Sequence, residues 1–331
     1  MSPDQIAVLG AGNMGTALAQ VIASNGHHVR AWSIETDVLE EMRDHRGNTR
    51  YLAGVALHPG IEPVWDCAAA VAGAALVIVS VPSQVVGPLA RDISPLIKRG
   101  QVVLNVAKGL EAGTHLRLSQ VLERELGKAF GKRAGSMGGP AIAIEMARGV
   151  PMAVIIGLAD RDCSLRVQRI LQNEHLKVET TADVCGVELC ATLKNVYAMA
   201  LGVCDGLGYG TNTKAFLATL ALAEMREISL ALGGERDTVY GLAGVGDLLT
   251  TGYSEHSRNR TLGEKLGSGG DWRHFLRNNT VEGVGACRAV KELIAGKGLR
   301  AHLLETLYEV LFAERPAPEA LRHFFREFSY G

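Results

Sequence analysis

"IAVLGAGNMGTALAQVIASNG", residues 6–26, decides how the rest of the chain is read. An apolar, β-branched run passes directly into Gly10, Gly12 and Gly15, and the alanine-rich helical stretch that follows stops at Asn25 and Gly26. GxGxxG alone is weak evidence, but a strand before it and a helix after it make it a dinucleotide-binding turn. In such a turn Gly10 permits the sharp bend, Gly12 lets the backbone approach a pyrophosphate, and Gly15 lets helix and strand pack closely. The helix N-terminus adds unbonded N–H groups and positive partial charge. The alternative is a glycine-rich turn with no ligand.

Working outward, β-branched runs at 6–10, 28–33, 76–81, 102–107, 152–158 and 176–181 alternate with helical stretches. That alternation predicts a parallel sheet covered on both faces, a doubly wound α/β domain over 1–181. Beyond residue 181 helical periods dominate, predicting a second, all-helical domain over 182–331. The turn-rich stretches 267–271 and 314–318 are expected to be surface loops.

The composition bounds the partners. With 331 residues, 47% apolar and 21% charged, the chain has the makeup of a globular protein with two full cores. A net charge of −1 offers nothing to nucleic acid or an anionic membrane. The opening MSPDQ lacks the features of a signal peptide, and the apolar run 67–86 is interrupted at Pro82, so a cytoplasmic protein without a membrane span is expected. Six cysteines without a CxxC pair or histidines at ligand spacing predict buried thiols in a reducing compartment and no metal site.

Ligands of open α/β sheets bind at the carboxyl edge of the strands. The second strand ends in "RAWSIETD", which sets Glu35 where a carboxylate would bind the adenosine ribose and repel an extra phosphate. No arginine or lysine occurs at 32–37, so NAD is favoured, with NADP still possible. Glu35 equally suits a helix start, where acids are favoured. The strand ending at Pro82 and the following "NVAKGLEAGT" bring Pro82 and Lys108 to the same edge, although Lys108 also suits an exposed ion pair.

In the helical half, "GVELCATLKNVYAMALG", residues 186–202, carries Lys194 amid apolar residues on every face. An isolated buried ammonium costs several kcal/mol, so the lysine either snorkels to a surface or is kept for chemistry. Asp247, in "GLAGVGDLLTT", reads as a helix N-cap or as the partner of that lysine. Arg258 and Asn259, in "SRNR", read as a solvated helix start or as an anion grip. Taken together they form a kit for reducing a small phosphorylated ketone: arginine for the anion, Ser257 and Asn259 as neutral donors, and a carboxylate to orient the lysine. A lysine brought toward neutrality by burial can pass a proton to the carbonyl oxygen as hydride arrives.

The blocks GAGNMGTALA, VPSQ, VAKGLE, GGPAIAIE, LKNVYAMALG, GLAGVGDLLTT, SRNR and VEG, in this order over residues 6–312, resemble the soluble NAD(P)-dependent glycerol-3-phosphate dehydrogenases of bacterial type. The resemblance implies an N-terminal Rossmann-like doubly wound sheet, an all-helical C-terminal domain, and interconversion of sn-glycerol 3-phosphate and dihydroxyacetone phosphate. It makes Lys194 the proton donor and acceptor, with Asp247, Asn195 and Lys108 beside it. It assigns Lys108, Gly139, Thr251, Ser257, Arg258 and Asn259 to the small phosphorylated substrate. The cofactor falls to Gly10, Gly12, Asn13, Met14, Gly15, Ser33, Glu35, Pro82, Lys108, Ala143, Arg258, Val281 and Glu282. Apolar helices of the second domain suit a homodimer.

Where the family commonly has SGP, serine or threonine, then FAKE, this chain has Gly138, Gly139, Pro140, Ala141, Ile142, Ala143, Ile144 and Glu145. A hydroxyl near Ala141 and a lysine at Ile144 are therefore missing, and losing one hydrogen bond costs ~1 kcal/mol. Two other readings remain open here: a related dehydrogenase for a phosphorylated or carboxylated hydroxy or keto substrate, and a non-catalytic dinucleotide sensor. A sensor would have no need of Lys194, Asp247 and Arg258 together.

Overall fold

The computed structural model of the chain describes residues 3–327; the outer ends of the two expected domains, at 1–2 and 328–331, lie outside the described residues. The chain divides into two compact units. One comprises Met1–Glu111 and Leu116–Val184, the other Ala112–His115 and Cys185–Gly331. In the second unit, the short excursion at 112–115 is tied down by His115 Nε2 against Glu292 Oε2 at 2.6 Å.

The first unit is built on eight strands: β1 (Gln5–Leu9), β2 (His28–Trp32), β3 (Ile61–Val64), β4 (Leu76–Val79), β5 (Val102–Asn105), β6 (Ala134–Gly138), β7 (Met152–Gly157) and β8 (Leu176–Thr181). Their order in the sheet is β3-β2-β1-β4-β5-β6-β7-β8. Alternating residues serve opposite faces: Ile6, Val8, Leu76 and Ile78 enter one apolar core, whereas Ala7, Leu9, Val77 and Val79 enter the other. Both faces are thus dry. Leu76–Val79 is wholly buried, and each such aliphatic side chain contributes about 1.5–3 kcal/mol by leaving water.

Two further strands, one interrupted by proline and one without any β-branched residue, are not expected from composition. β3 is four residues with Pro63 inside it, tolerable because it lies at the sheet edge. β6 is "AGSMG", buried throughout, and a Cβ on Gly135 would stand 2.4 Å from the carbonyl oxygen of Gly157. Its small residues are chosen for closeness of the neighbouring backbone. The sheet is also not wholly parallel as expected: β6 and β7 pair antiparallel, Met137 opposite Ile156. The thirteen-residue connection 139–151, which holds only the short helix Ala143–Ala147, brings the chain back beside β6 in the opposite direction.

The second unit contains the long helix Val184–Gly206 together with Thr211–Ala231, Arg236–Tyr240, Asp247–Tyr253, Arg258–Ser268, Trp272–Asn278, Glu282–Leu293, His302–Phe312 and Ala317–Glu327. The long helix is apolar on all sides and 89% buried over its most apolar window; it has the length of a membrane span but forms the core of this unit. Its glycines let the helix Arg258–Ser268 come almost into backbone contact. A Cβ on Gly202 would lie 2.0 Å from the Arg260 carbonyl oxygen, and one on Gly263 would lie 2.0 Å from that of Met199. Gly206 and Gly267 repeat the arrangement one turn on, with 2.1 and 2.4 Å to Glu264 and Val203.

Three of the six cysteines, Cys190, Cys204 and Cys287, are buried, whereas Cys67, Cys163 and Cys185 are only partly so, a correction to the expectation of six buried thiols. Burial pushes the Cys287 thiol up to about 12 and that of Cys67 to about 11, so neither is a ready nucleophile.

Candidate active site

The dinucleotide turn is formed where the sheet order reverses, between β1 and β4. Gly10 has φ +112, and a Cβ there would meet the Ser80 carbonyl oxygen at 2.2 Å. Gly15 faces the Gly10 carbonyl oxygen, which its Cβ would approach to 1.9 Å. Around Gly12 there is nothing within 4 Å, so this turn is closed on the strand side and open at the residue where a pyrophosphate would approach. The helix Asn13–Ser24 begins there with no side-chain cap, leaving Asn13, Met14 and Gly15 in its first turn. These residues fit a dinucleotide phosphate.

The other edge positions follow. Ser33 is buried and accepts the N–H of Glu35 at 3.1 Å, shaping the exit from β2. Pro82 ends the β4 segment at the start of the helix Ser83–Ile93. After β5, Asn105 folds back on its own loop, donating to the Ala107 carbonyl (2.8 Å) and accepting the Ala107 N–H (3.1 Å), which fixes the base of the segment carrying Lys108. Gly139 sits at φ +103 just after β6, while Ala143 opens the helix Ala143–Ala147 and, with Ala141, packs against the apolar core.

In the helical unit Lys194 does not snorkel: it is 5% exposed. Its Nζ lies 3.0 Å from Asp247 Oδ1 and donates to Thr251 Oγ1 at 2.6 Å. Thr251 in turn donates to Asp247 Oδ1 at 3.3 Å, closing a three-membered cluster. Asp247 is itself 1% exposed and opens the helix Asp247–Tyr253, but its carboxylate is spent on Lys194 and Thr251. The glycine-rich "GLAGVG" before it forms a π-helical turn, Leu242–Gly246, in which a Cβ on Gly244 would fall 1.9 Å from the Val239 carbonyl oxygen. That wide turn sets where the acid emerges.

Beside this cluster runs a buried amide chain. Gly283 N–H donates to Asn259 Oδ1 at 2.9 Å, Asn259 Nδ2 to Asn195 Oδ1 at 3.0 Å, and Asn195 Nδ2 to Glu282 Oε2 at 3.0 Å. Asn195 and Asn259 therefore hold each other and the start of the helix Glu282–Leu293, preceded by the buried Val281. Ser257 caps its helix by accepting the Arg260 N–H at 3.2 Å, its own O–H still a donor. Arg258, at the first position of that helix, is exposed and has no carboxylate partner among the described residues.

Two family descriptions match this chain: NAD-dependent glycerol-3-phosphate dehydrogenase N-terminus over residues 5–164, and the C-terminus of the same family over 183–322. The glycerol-3-phosphate dehydrogenase [NAD(P)+] of Moorella thermoacetica is 41% identical over 320 residues, covering 96% of this chain and 94% of that protein. The chain belongs to the NAD-dependent glycerol-3-phosphate dehydrogenase family. The enzyme of the same name from Geobacillus kaustophilus is 40% identical over 321 residues, 96% of this chain and 93% of the relative. Among solved structures, the glycerol-3-phosphate dehydrogenase of Coxiella burnetii superposes with a TM-score of 0.90 at 32% identity, covering 98% of this chain and 99% of that one.

Against this family background, some residues at the site carry no sequence signal. Asn48, 1% exposed, donates to the Ala11 carbonyl oxygen and to Thr16 Oγ1, each at 2.9 Å, and so braces the glycine turn from a distant loop. Arg50 and Tyr51, two and three residues on, both reach Glu35. The cation missing from 32–37 therefore arrives from another part of the chain. Glu224 is a further case: it accepts Tyr197 O–H at 2.9 Å and the N–H groups of Leu303 and Leu304 at 2.7 and 3.1 Å. Tyr197 lies one turn beyond Lys194 on the same helix, so Glu224 ties that helix to the start of His302–Phe312. Burial raises its carboxyl to about 7 against the pull of those hydrogen bonds.

Proposed function

We propose that the chain interconverts sn-glycerol 3-phosphate and dihydroxyacetone phosphate with NAD or NADP, and that it does so in the cytoplasm as a homodimer with no nucleic-acid or membrane partner. The observation that carries the reading is the buried pair of Lys194 and Asp247 at 3.0 Å in a chain of this family. The nicotinamide cofactor supplies hydride to C2 of the ketone and accepts it in reverse. Lys194 Nζ gives its proton to the C2 oxygen as the alcohol forms and takes it back as the ketone forms, so one proton and one hydride move together. Asp247 and Thr251 hold that amine in place, and Asn195 and Asn259 position the backbone on either side. Arg258, unpaired by any described carboxylate, is the group for the substrate phosphate, with the Ser257 hydroxyl as a second donor. Gly10, Gly12 and Gly15 with the helix start at Asn13 and Met14 take the pyrophosphate; Lys108, Gly139 and Ala143 are the further ligand residues of the first unit, and Val281 and Glu282 those of the second.

Support for the remaining parts is of a different kind. Exposed Leu230, Tyr240, Leu249 and Tyr253 provide apolar surface on the helical unit for a second copy. Six cysteines, none of them in a disulfide, suit a reducing compartment. The absent hydroxyl at Ala141 favours a panel of substrates over a single assay. Oxidation of NADH is expected with dihydroxyacetone phosphate and not with unphosphorylated dihydroxyacetone or ketopantoate. In the same assay Lys194→Met should lower kcat by about 10²–10⁴ while equilibrium binding of NADH is kept. A Lys194→Met chain that turns over at the parent rate, or a preference for ketopantoate, would sink the proposal.

A further inference from the structure

The end of β2 holds a carboxylate, and the fold adds a cation to it. Arg50 Nη1 donates to Glu35 Oε1 at 3.0 Å, and its Nη2 is paired with Asp37. Tyr51 O–H lies 2.9 Å from both oxygens of Glu35. Arg50 is borne on the single turn Thr49–Leu52, and that turn is fastened at both sides. Thr49 N–H bonds the Glu41 carboxylate at 3.0 Å, and the preceding Asn48 donates to Ala11 within the dinucleotide turn. The guanidinium itself remains half exposed, its side chain at 49%.

In doubly wound dinucleotide sites an acid at this strand end takes the ribose hydroxyls of NAD, and a nearby arginine accommodates the 2′-phosphate of NADP. Resting on the dinucleotide reading above, we propose that Arg50 is the specificity-determining residue that admits the 2′-phosphate, exchanging Glu35 and Asp37 for phosphate oxygens. With NAD the pair stays closed and Glu35, turned by Tyr51, serves the ribose. With NADP the arginine turns outward onto the dianion and also shields it from the two acids. The exchange is easy because exposed ion pairs are weak, whereas an arginine–phosphate contact is bidentate and charge-assisted. One chain thereby uses both cofactors, with the acids setting a bias toward NAD.

The test is equilibrium binding, read by the fluorescence of NADH and NADPH and by competition with AMP and adenosine 2′,5′-bisphosphate. Arg50→Ala should weaken NADPH and the bisphosphate about tenfold and NADH and AMP less than about twofold, with Arg50→Lys between. The NADPH difference between parent and Arg50→Ala should shrink as salt rises from about 50 to 300 mM, since screening acts on a charge contact. Glu35→Gln should strengthen NADPH by removing a repelling charge. Equal losses for both cofactors in Arg50→Ala, or no loss in either, would overturn the assignment. A parent chain that binds neither NADH nor NADPH would sink the dinucleotide reading and this inference with it.

Discussion

Glycine is used in opposite ways in the two units. At Gly12 of the sheet unit a Cβ would meet nothing within 4 Å, whereas at Gly263 of the helical unit it would meet the Met199 carbonyl oxygen at 2.0 Å. The first space is open and the second is already filled by backbone. Likewise, the acid of the sheet unit, Glu35, stays partly open to water, while Asp247 of the helical unit is closed off on Lys194. Each acid has a cation of the chain beside it, but only the one in the helical unit is shut away from water.

The contrast can be broken by substitution. The largest stability effect is expected for Gly263→Ala: backbone cannot yield as a flexible side chain would, so overpacking should cost about 3 kcal/mol and lower Tm by on the order of 5–10 °C. A Tm within a degree or so of the parent would show that the helices separate easily. Gly12→Ala should do the reverse. With φ −74 and ψ −171 any residue fits the backbone, so Tm should hold while NADH affinity falls about tenfold, the added methyl standing where the pyrophosphate approaches. Unchanged affinity would remove Gly12 from that role.

The smallest effect concerns Glu224, the closed acid on the helix of Lys194. Its folded pKa of about 7 lies above the ordinary 4.5, so the folded chain holds this proton more tightly than the unfolded one. The contribution is then complete below about pH 4.5 and is lost as pH rises through 7. Between pH 6 and 8 the parent should lose about 1 kcal/mol of stability that Glu224→Gln does not lose. Parallel pH profiles for the two chains, measured by denaturant unfolding, would mean that the carboxylate is ionised throughout.

How legible the molecule was depended on how local each signal is. Six strands were readable because β-branched residues bury both faces of a sheet, and the glycine turn because its three positions follow one strand at fixed spacing. β6 was hidden, since small residues chosen for a close neighbour look like a loop. Lys194 and Asp247 could be singled out as out of place amid apolar residues, but their separation of 3.0 Å and the π-helical turn just before Asp247 are signalled by no composition. Asn48 and Arg50 could not be found at all, because each acts on a partner far away in the chain.

By itself the sequence determined the α/β-then-helical order, the dinucleotide turn, the family resemblance and the short set of polar residues that apolar surroundings make costly. Tertiary structure alone decided which of those residues spend their hydrogen bonds on one another, as Asn195 and Asn259 do, and which remain open, as Arg258 does. It also decided that Glu35 has a cation beside it. The physical reason is range: turn geometry and hydrophobic periodicity are set within a few residues, whereas burial, charge pairing and close backbone approach are set by whatever the fold brings next to a residue.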